Sequence, residues 1–186
     1  MQEREIWAGC VQGKQECQRE LFAQYAGKLK ATLLRYIKDD ARANKILVDL
    51  FTDIFRRITR GEWRENVPFE VWTKSLVMNY CLMYVRKKRV FFLFKPVHEE
   101  IQVSNINMEE LEPVMSAKNI SEVLYKIPDP HRVLFNLYVV DGYSEADIAS
   151  SVSVKPEWVS RGIKEAREMV HRELQKKVRL TYASAL

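Results

Sequence analysis

The sequence is poor in cysteine and in long apolar runs, and each shortage excludes a class of protein. Cys10, Cys17 and Cys81 are an odd set without Cys-x-x-Cys spacing or a histidine cluster nearby, so neither a disulfide framework nor a metal site is indicated. No apolar run approaches the roughly 18 residues of a membrane-spanning helix, and the first residues, MQEREIWAGCVQGKQE, are too polar for a signal peptide. We expect a cytoplasmic protein that does not insert into a membrane.

The sequence also lacks the short motifs of common enzymes, namely a glycine-rich phosphate loop, a paired-histidine metal motif and a nucleophile elbow. His98, His131 and His171 are scattered, and each is expected to be structural or solvated. Asp49 and Asp53 lie one helical turn apart, but without further ligands they indicate a solvated face. The sequence therefore predicts a protein that is not an enzyme and that needs no cofactor.

Helical periodicity is the main signal that the sequence does contain, and no segment shows a convincing strand pattern. The 186 residues suggest one domain or two small ones, and the formal charge of +5 permits a polyanionic partner. Between residues 90 and 119 the periodicity decays in an acidic segment. We predict an all-α fold of two small helical bundles, residues 1–89 and 120–186, joined by a linker at 90–119.

Residues 128–178 are predicted to form three helices, the last two separated by a very short turn, which is the layout of a helix-turn-helix DNA reader. Gly142 ends the first helix, since glycine leaves a helix without steric cost. Ser144 and Asp147 have the spacing of a reciprocal cap for the second helix. Pro156 stands at the first position of the third helix, where its fixed φ is suitable.

The third helix is amphipathic, and its outward face predicts its function. Its inward stripe is Val159, Ile163, Ala166, Val170 and Leu174. The first residues of such a helix reach base edges, and flanking basic residues meet phosphates. The base-reading candidates are Lys155, Glu157, Trp158 and Arg161, and the phosphate candidates are Lys164, Arg167 and Arg172. A solvated helix of mixed charge stays open, because Glu165 is expected to point outward and, like Glu168, would repel phosphates.

The N-terminal half contains further helices, with Gly9 and Gly13 as breaks near its start. A helix from Pro68 has an apolar stripe of Phe69, Trp72, Leu76, Tyr80 and Met83, and it ends in the basic run Arg86, Lys87, Lys88 and Arg89. Basic residues suit a helix C-terminus, but four in succession exceed what capping needs. A nucleic-acid patch and an ordinary helix end both stay open.

Three blocks of the sequence carry a family resemblance. Residues 7–25, WAGCVQGKQECQRELFAQY, are similar to a pattern of a glycine, a small helix and L-F/Y-x-x-Y. Residues 69–89, FEVWTKSLVMNYCLMYVRKKR, are similar to F-x-x-W-L-x-x-I-x-x-N with an arginine-rich end. Residues 124–149, LYKIPDPHRVLFNLYVVDGYSEADIA, are similar to L-x-x-L-P-x-x-x-R-x-V-F-x-L-x-x-x-x-G-x-S-x-x-E-I-A. Together the blocks resemble the extracytoplasmic-function sigma factors, the compact two-domain specificity subunits of bacterial RNA polymerase.

The resemblance implies a transcription initiation factor that binds core RNA polymerase and promoter DNA. The first domain would bind the polymerase clamp through the segment that contains Lys45, Val48 and Asp49, and it would open and read the −10 element. The implied −10 segment is Asn79, Arg86, Lys87, Lys88 and Arg89, with Trp72 as its core anchor. The second domain would sit on the polymerase flap and read the −35 element with the helix from Pro156, while the linker threads through the RNA exit path.

Departures from the family pattern bear on the polymerase contact. Family members commonly carry the acidic motif A-E-D-I/L-x-Q-E-x-F, and the aligned residues 43–51 are ANKILVDLF. Lys45 replaces an acidic residue and Val48 replaces a glutamine in this motif. In the helix from Pro156, Ser160 and Gly162 stand where basic residues are frequent in the family. The alternative is therefore a stand-alone or degenerate sigma-like helix-turn-helix regulator. Whether an anti-sigma factor binds the protein stays open.

Overall fold

A computed structural model of the chain describes residues 3–63, 67–87 and 117–183. Within these ranges the secondary structure is helical and no strand occurs, which confirms the all-α prediction. The predictions for Lys88, Arg89 and most of the linker lie outside the described residues, and so does His98.

The chain divides into two compact units, Met1–Tyr84 and Val85–Leu186. The division falls inside a helix, a few residues before the end predicted for the first domain. The helices that begin in the first unit are α1 (Glu3–Val11), α2 (Gln15–Tyr36), α3 (Asp40–Thr59) and α4 (Phe69–Lys87). Those of the second unit are α5 (Ala117–Lys126), α6 (Asp129–Phe135), α7 (Glu145–Val152) and α8 (Pro156–Ala183), and a π-helical turn, Asn136–Val140, continues α6.

α2 is the scaffold of the first unit. Five of its six buried residues recur at every fourth position, which places them on one side of the helix: Cys17, Leu21, Tyr25, Leu29 and Leu33. This side packs against α1 and α3. α3 begins with a side-chain cap, because the carboxylate of Asp39 accepts a hydrogen bond from the backbone N–H of Arg42 at 3.0 Å.

Gly9 is not the break that the sequence suggests. α1 passes through it without interruption, and the chain leaves the helix at Gly13 instead, with φ of +73°. A side-chain carbon on Gly9 would lie 2.0 Å from Sγ of Cys17, so glycine at this position lets α1 and α2 approach closely. Burial of the Cys10 thiol, together with the nearby Cys17, raises the pKa of Cys10 to about 11.

An aromatic cluster joins α1, α2 and the first turn of α4. The ring of Phe69 lies 5.3 Å from that of Trp7 and 4.4 Å from that of Tyr25, centroid to centroid. Trp72 is half-buried at the edge of the cluster, 6.1 Å from Phe69. The anchoring role that the family pattern implies for Trp72 is therefore shared with Phe69, which is buried.

The stripe predicted for α4 is only partly right. Phe69 and Leu76 are buried and Tyr80 is half-buried, but Met83 is 62% exposed. The helix buries six other residues as well, Thr73, Val77, Met78, Cys81, Leu82 and Val85. Apolar residues surround α4 on most sides, so periodicity could not select the face that the fold buries.

α8 is the axis of the second unit, and α5, α6 and α7 pack against it. The predicted inward stripe is confirmed, since Val159, Ile163, Ala166, Val170 and Leu174 are all buried. The last two of these residues join Val123 and Leu124 of α5, and Ile127 directly after it, in one apolar cluster. Burial of one such side chain contributes about 1.5 to 3 kcal/mol, so α8 is held in place by packing along much of its length.

Candidate nucleic-acid interface

α7 and α8 are separated by a short, closed turn at residues 153–155. Ser153 adopts the left-handed conformation, with φ of 57° and ψ of 49°. The N–H of Val154 donates to the carbonyl of Ala149 at 3.1 Å, and the N–H of Ser153 donates to that of Ser150 at 3.4 Å, which is the Schellman pattern of a helix end. α8 then starts at Pro156, as predicted, so the direction of α8 relative to α7 is set by the backbone.

α7 has a side-chain cap at its start. The hydroxyl of Ser144 accepts a hydrogen bond from the backbone N–H of Asp147 at 3.1 Å. The same hydroxyl donates to the Asp147 carboxylate at 2.6 Å. The predicted cap therefore forms, and Gly142, with φ of +75°, ends the preceding helix as predicted.

The exposed face of α8 presents the side chains that the sequence nominates for DNA contact. Lys155 and all six nominated residues that follow it are exposed, namely Glu157, Trp158, Arg161, Lys164, Arg167 and Arg172. Trp158 is 47% exposed. The guanidinium of Arg167 lies 5.3 Å from the ring centroid of Tyr138, a cation–π contact that holds this arginine beside the π-helical turn.

Two carboxylates that would oppose DNA are turned into the interior. Glu165, expected to point outward, is only 7% exposed, and Glu168 is 9% exposed. The Oε2 atom of Glu165 lies 2.9 Å from Nε2 of the buried His131 on α6. This partner offsets the free-energy cost of removing the carboxylate from water. The expectation for Glu165 is thus wrong, while His131 is structural as predicted.

Burial of these carboxylates changes the charge of the exposed face. Between residues 155 and 167 the exposed charged side chains are four basic ones, Lys155, Arg161, Lys164 and Arg167, and one acidic one, Glu157. The exposed charges of this segment are therefore mainly basic, with Glu157 as the acidic exception. Sequence reasoning missed the His131–Glu165 pair, because its members are 34 positions apart and no motif links them.

On α3, the residues aligned with the polymerase-binding motif share an exposed face. Lys45 and Asp49 are exposed, and Val48 between them is 59% exposed. An exposed valine flanked by one cation and one anion is able to make both apolar and charged contacts.

Asp53, one turn beyond Asp49, is not on the solvated face that the sequence suggested. It is 9% exposed, its Oδ2 accepts a hydrogen bond from Nε of Arg57 at 2.9 Å, and its Oδ1 accepts one from Arg56. Burial raises the pKa of the Asp53 carboxyl, but the hydrogen bonds from Arg57 and Arg56 outweigh burial, so its pKa lies below the usual range.

The candidates on α4 are exposed where the structure describes them. Asn79, Arg86 and Lys87 all lie at the surface. Tyr80, next to Asn79, donates its hydroxyl to the backbone carbonyl of Asp49 at 3.3 Å. Burial, with Asp53 and Asp49 nearby, raises the pKa of Tyr80. Tyr80 therefore joins α4 to α3, which agrees with the packing role expected for it.

Metal-binding clusters and membrane-spanning helices are both absent from the described residues. No group of three or more histidine, cysteine, aspartate or glutamate side chains there could hold a metal ion. No helix in the same part of the chain is both long and apolar enough to cross a bilayer.

The protein is all-α, and its helix α8, which follows a short turn, has an exposed face with mainly basic charges. No family model matches the chain. In sequence it is similar to the RNA polymerase sigma factor CarQ of Myxococcus xanthus, with 21% identity over 144 residues that cover 77% of this chain and 81% of CarQ. It is also similar to CnrH, solved in complex with the cytosolic domain of CnrY. That likeness covers 94% of this chain and 97% of CnrH at 16% identity, with a TM-score of 0.47.

Proposed function

We propose that the protein is an RNA polymerase sigma factor of the extracytoplasmic-function type, a non-enzymatic subunit that directs promoter recognition and transcription initiation. The observation that carries the proposal is the exposed face of α8, which has four basic and one acidic charged side chains between residues 155 and 167. A helix that follows a short turn and presents cations is suited to the major groove. The sequence similarity to CarQ supports the same class.

In this proposal α8 reads the −35 element. Lys155, Glu157, Trp158 and Arg161 contact base edges, and Lys164, Arg167 and Arg172 contact phosphates. A guanidinium can bind O6 and N7 of guanine together, which is the commonest specific contact in the major groove. The exposed ring of Trp158 offers an apolar surface to a thymine methyl group.

The first unit supplies the other contacts. Lys45, Val48 and Asp49 on the exposed face of α3 bind the polymerase clamp. Asn79, Arg86 and Lys87 on α4, continued by Lys88 and Arg89 outside the described residues, form the −10 segment. The protein then acts in the cytoplasm, where its polymerase partner is.

Binding and transcription with bacterial core polymerase test the proposal. The full-length protein is mixed with core enzyme, the complex is isolated by gel filtration, and run-off transcription is measured on genomic fragments. We expect a stable complex and starts that share defined −35 and −10 sequences. Failure to bind core enzyme at micromolar concentration would reject the proposal.

A single variant tests the assignment of α8. Arg161→Ala should relax −35 selectivity by about 1 to 3 kcal/mol if the side chain binds a base. Arg179→Ala is the matched control, because Arg179 is exposed near the end of the same helix. An unchanged promoter profile for Arg161→Ala would reject the base-reading role of this residue.

A second candidate is a stand-alone or degenerate sigma-like DNA-binding regulator. It is favoured by Lys45, which places a cation on the exposed face of α3 where the family pattern has an acidic residue. Specific binding to duplex DNA without polymerase, together with no binding to core enzyme, would support this candidate over the first.

A further inference from the structure

We infer that Glu165 is a positioning residue for Arg161, and that the buried His131 holds Glu165 in the required place. The inference rests on the proposed function, because it assigns Arg161 to a base contact. One carboxylate makes both links. Its Oε2 atom lies 2.9 Å from Nε2 of His131, and its Oε1 atom lies 3.7 Å from Nε of Arg161.

The two ends of this chain of contacts differ in burial. The side chains of His131 and Glu165 are 6% and 9% exposed, whereas that of Arg161 is 55% exposed. His131 belongs to α6, which packs against α8, so the imidazole is fixed by the interior of the unit. A carboxylate oxygen accepts, and Nε2 of His131 therefore donates the hydrogen. The buried His131 thereby fixes the position of the Glu165 carboxylate next to Arg161.

The contact with Glu165 preorganises the Arg161 side chain for binding a DNA base. A free arginine side chain loses rotamer freedom when it orders on a partner, and a side chain that is held beforehand loses less. Glu165 meets the guanidinium at Nε, which leaves the two terminal nitrogens for the bidentate contact that guanine accepts in the major groove. Glu165 thus affects selectivity at the base pair that Arg161 reads, although Glu165 does not touch DNA.

An exposed ion pair between positions i and i+4 of a helix usually contributes little to stability. The pair of Arg161 and Glu165 differs because one member is anchored in the interior. Its effect should therefore appear in base selectivity more than in the stability of the unit.

Selection from a DNA library separates these effects. The full-length protein with core polymerase selects duplexes randomised over the −35 region, and the base preference at each position is sequenced. For Arg161→Ala we expect the preference at one position to fall by about 5- to 150-fold. For Glu165→Gln we expect the largest fall at that same position, and we expect the double variant to fall no further than Arg161→Ala.

Glu168→Gln is the matched control, because Glu168 is a second buried carboxylate on α8 and is 9% exposed. It should leave the preference at that position unchanged. The inference is wrong if Glu165→Gln keeps the wild-type preference there, or if it lowers the preference equally at every position. If Arg161→Ala itself changes no position, the base-reading assignment and this inference fail together. If the wild type selects no sequence, the proposed function fails with them.

A spectroscopic measurement tests the contact without DNA or polymerase. The Nε–H resonance of Arg161 in the ¹⁵N spectrum is assigned by its loss in Arg161→Ala. Glu165→Gln should shift this resonance, because the substitution removes the negative charge beside it, while Glu168→Gln should leave it in place. An unmoved resonance in a Glu165→Gln protein whose other resonances show the native fold would overturn the positioning role.

Discussion

Trp63 stacks on Trp7, with ring centroids 3.4 Å apart and ring planes inclined by 18°. The indole N–H of Trp63 also donates to the backbone carbonyl of Val67 at 3.0 Å. Trp7 is buried on α1, whereas Trp63 and Val67 belong to the connection between α3 and α4. The stack therefore ties this connection to the first helix of the chain.

Trp63→Ala should lower the free energy of unfolding by about 2 to 4 kcal/mol, because the substitution removes a large half-buried ring and exposes Trp7. Urea unfolding followed by circular dichroism measures the change without relying on tryptophan fluorescence. Trp63→Phe keeps a ring for stacking but loses the hydrogen bond, so its cost should be smaller. Equal stability of Trp63→Ala and the wild type would show that the stack contributes nothing.

Asp53→Asn should destabilise the protein by about 1 kcal/mol at pH 7, because the hydrogen bonds to Arg57 and Arg56 lose their ionic partner. This loss of unfolding free energy is small because the side chains of Arg57 and Arg56 are 37% and 60% exposed, so water screens their interaction with Asp53. The folded-state pKa of Asp53 is lowered, so its contribution is present above the unfolded pKa of about 3.9 and is lost as pH falls through the folded pKa.

Unfolding titrations of both proteins across this pH range measure the difference. The gap between the wild type and Asp53→Asn should narrow below about pH 4. Asp49→Asn, one turn away on the exposed face, should change stability by less than about 0.5 kcal/mol at pH 7. A gap for Asp53→Asn that stays constant with pH would contradict the ionic origin of the effect.

Lys164→Ala should weaken promoter binding to a similar degree for all −35 sequences, because a phosphate contact carries no base information. The slope of log affinity against log salt concentration should fall by about 1. Fluorescence anisotropy of labelled duplexes with the assembled polymerase measures both quantities. Lys176→Ala is the control, since Lys176 lies later on α8 and pairs with Glu173. An equal change of slope in both variants would mean that net charge alone is responsible.

Lys45→Glu should strengthen binding to core polymerase by about fivefold, the equivalent of one exposed ion pair of about 1 kcal/mol. In the proposed function this face of α3 binds the polymerase clamp, and the acidic residue of the family pattern at this position implies a cationic partner opposite it. Surface-immobilised core enzyme allows the dissociation constants to be compared directly. Lys74→Glu on the exposed side of α4 makes the same charge change away from this face and should have no effect. Weaker binding of Lys45→Glu would indicate a rearranged clamp contact.

Local rules predicted the parts of the second unit that depend on near neighbours in sequence. The cap at Ser144, the start of α8 at Pro156 and the stripe from Val159 to Leu174 are all confirmed, since each requires only residues within a few turns of one another. The predictions for Gly9, Met83 and Glu165 were wrong. Each of these depends on what another helix places opposite the residue.

The sequence by itself determined the helical class, the short turn before α8 and the residues nominated for contact with DNA, because periodicity, caps and turn residues act over short distances along the chain. Only the tertiary structure decided the charge of the surface that α8 presents. A carboxylate can be buried where a hydrogen-bond partner compensates for the loss of water. The partner of Glu165 is His131, which lies on a different helix, 34 positions earlier.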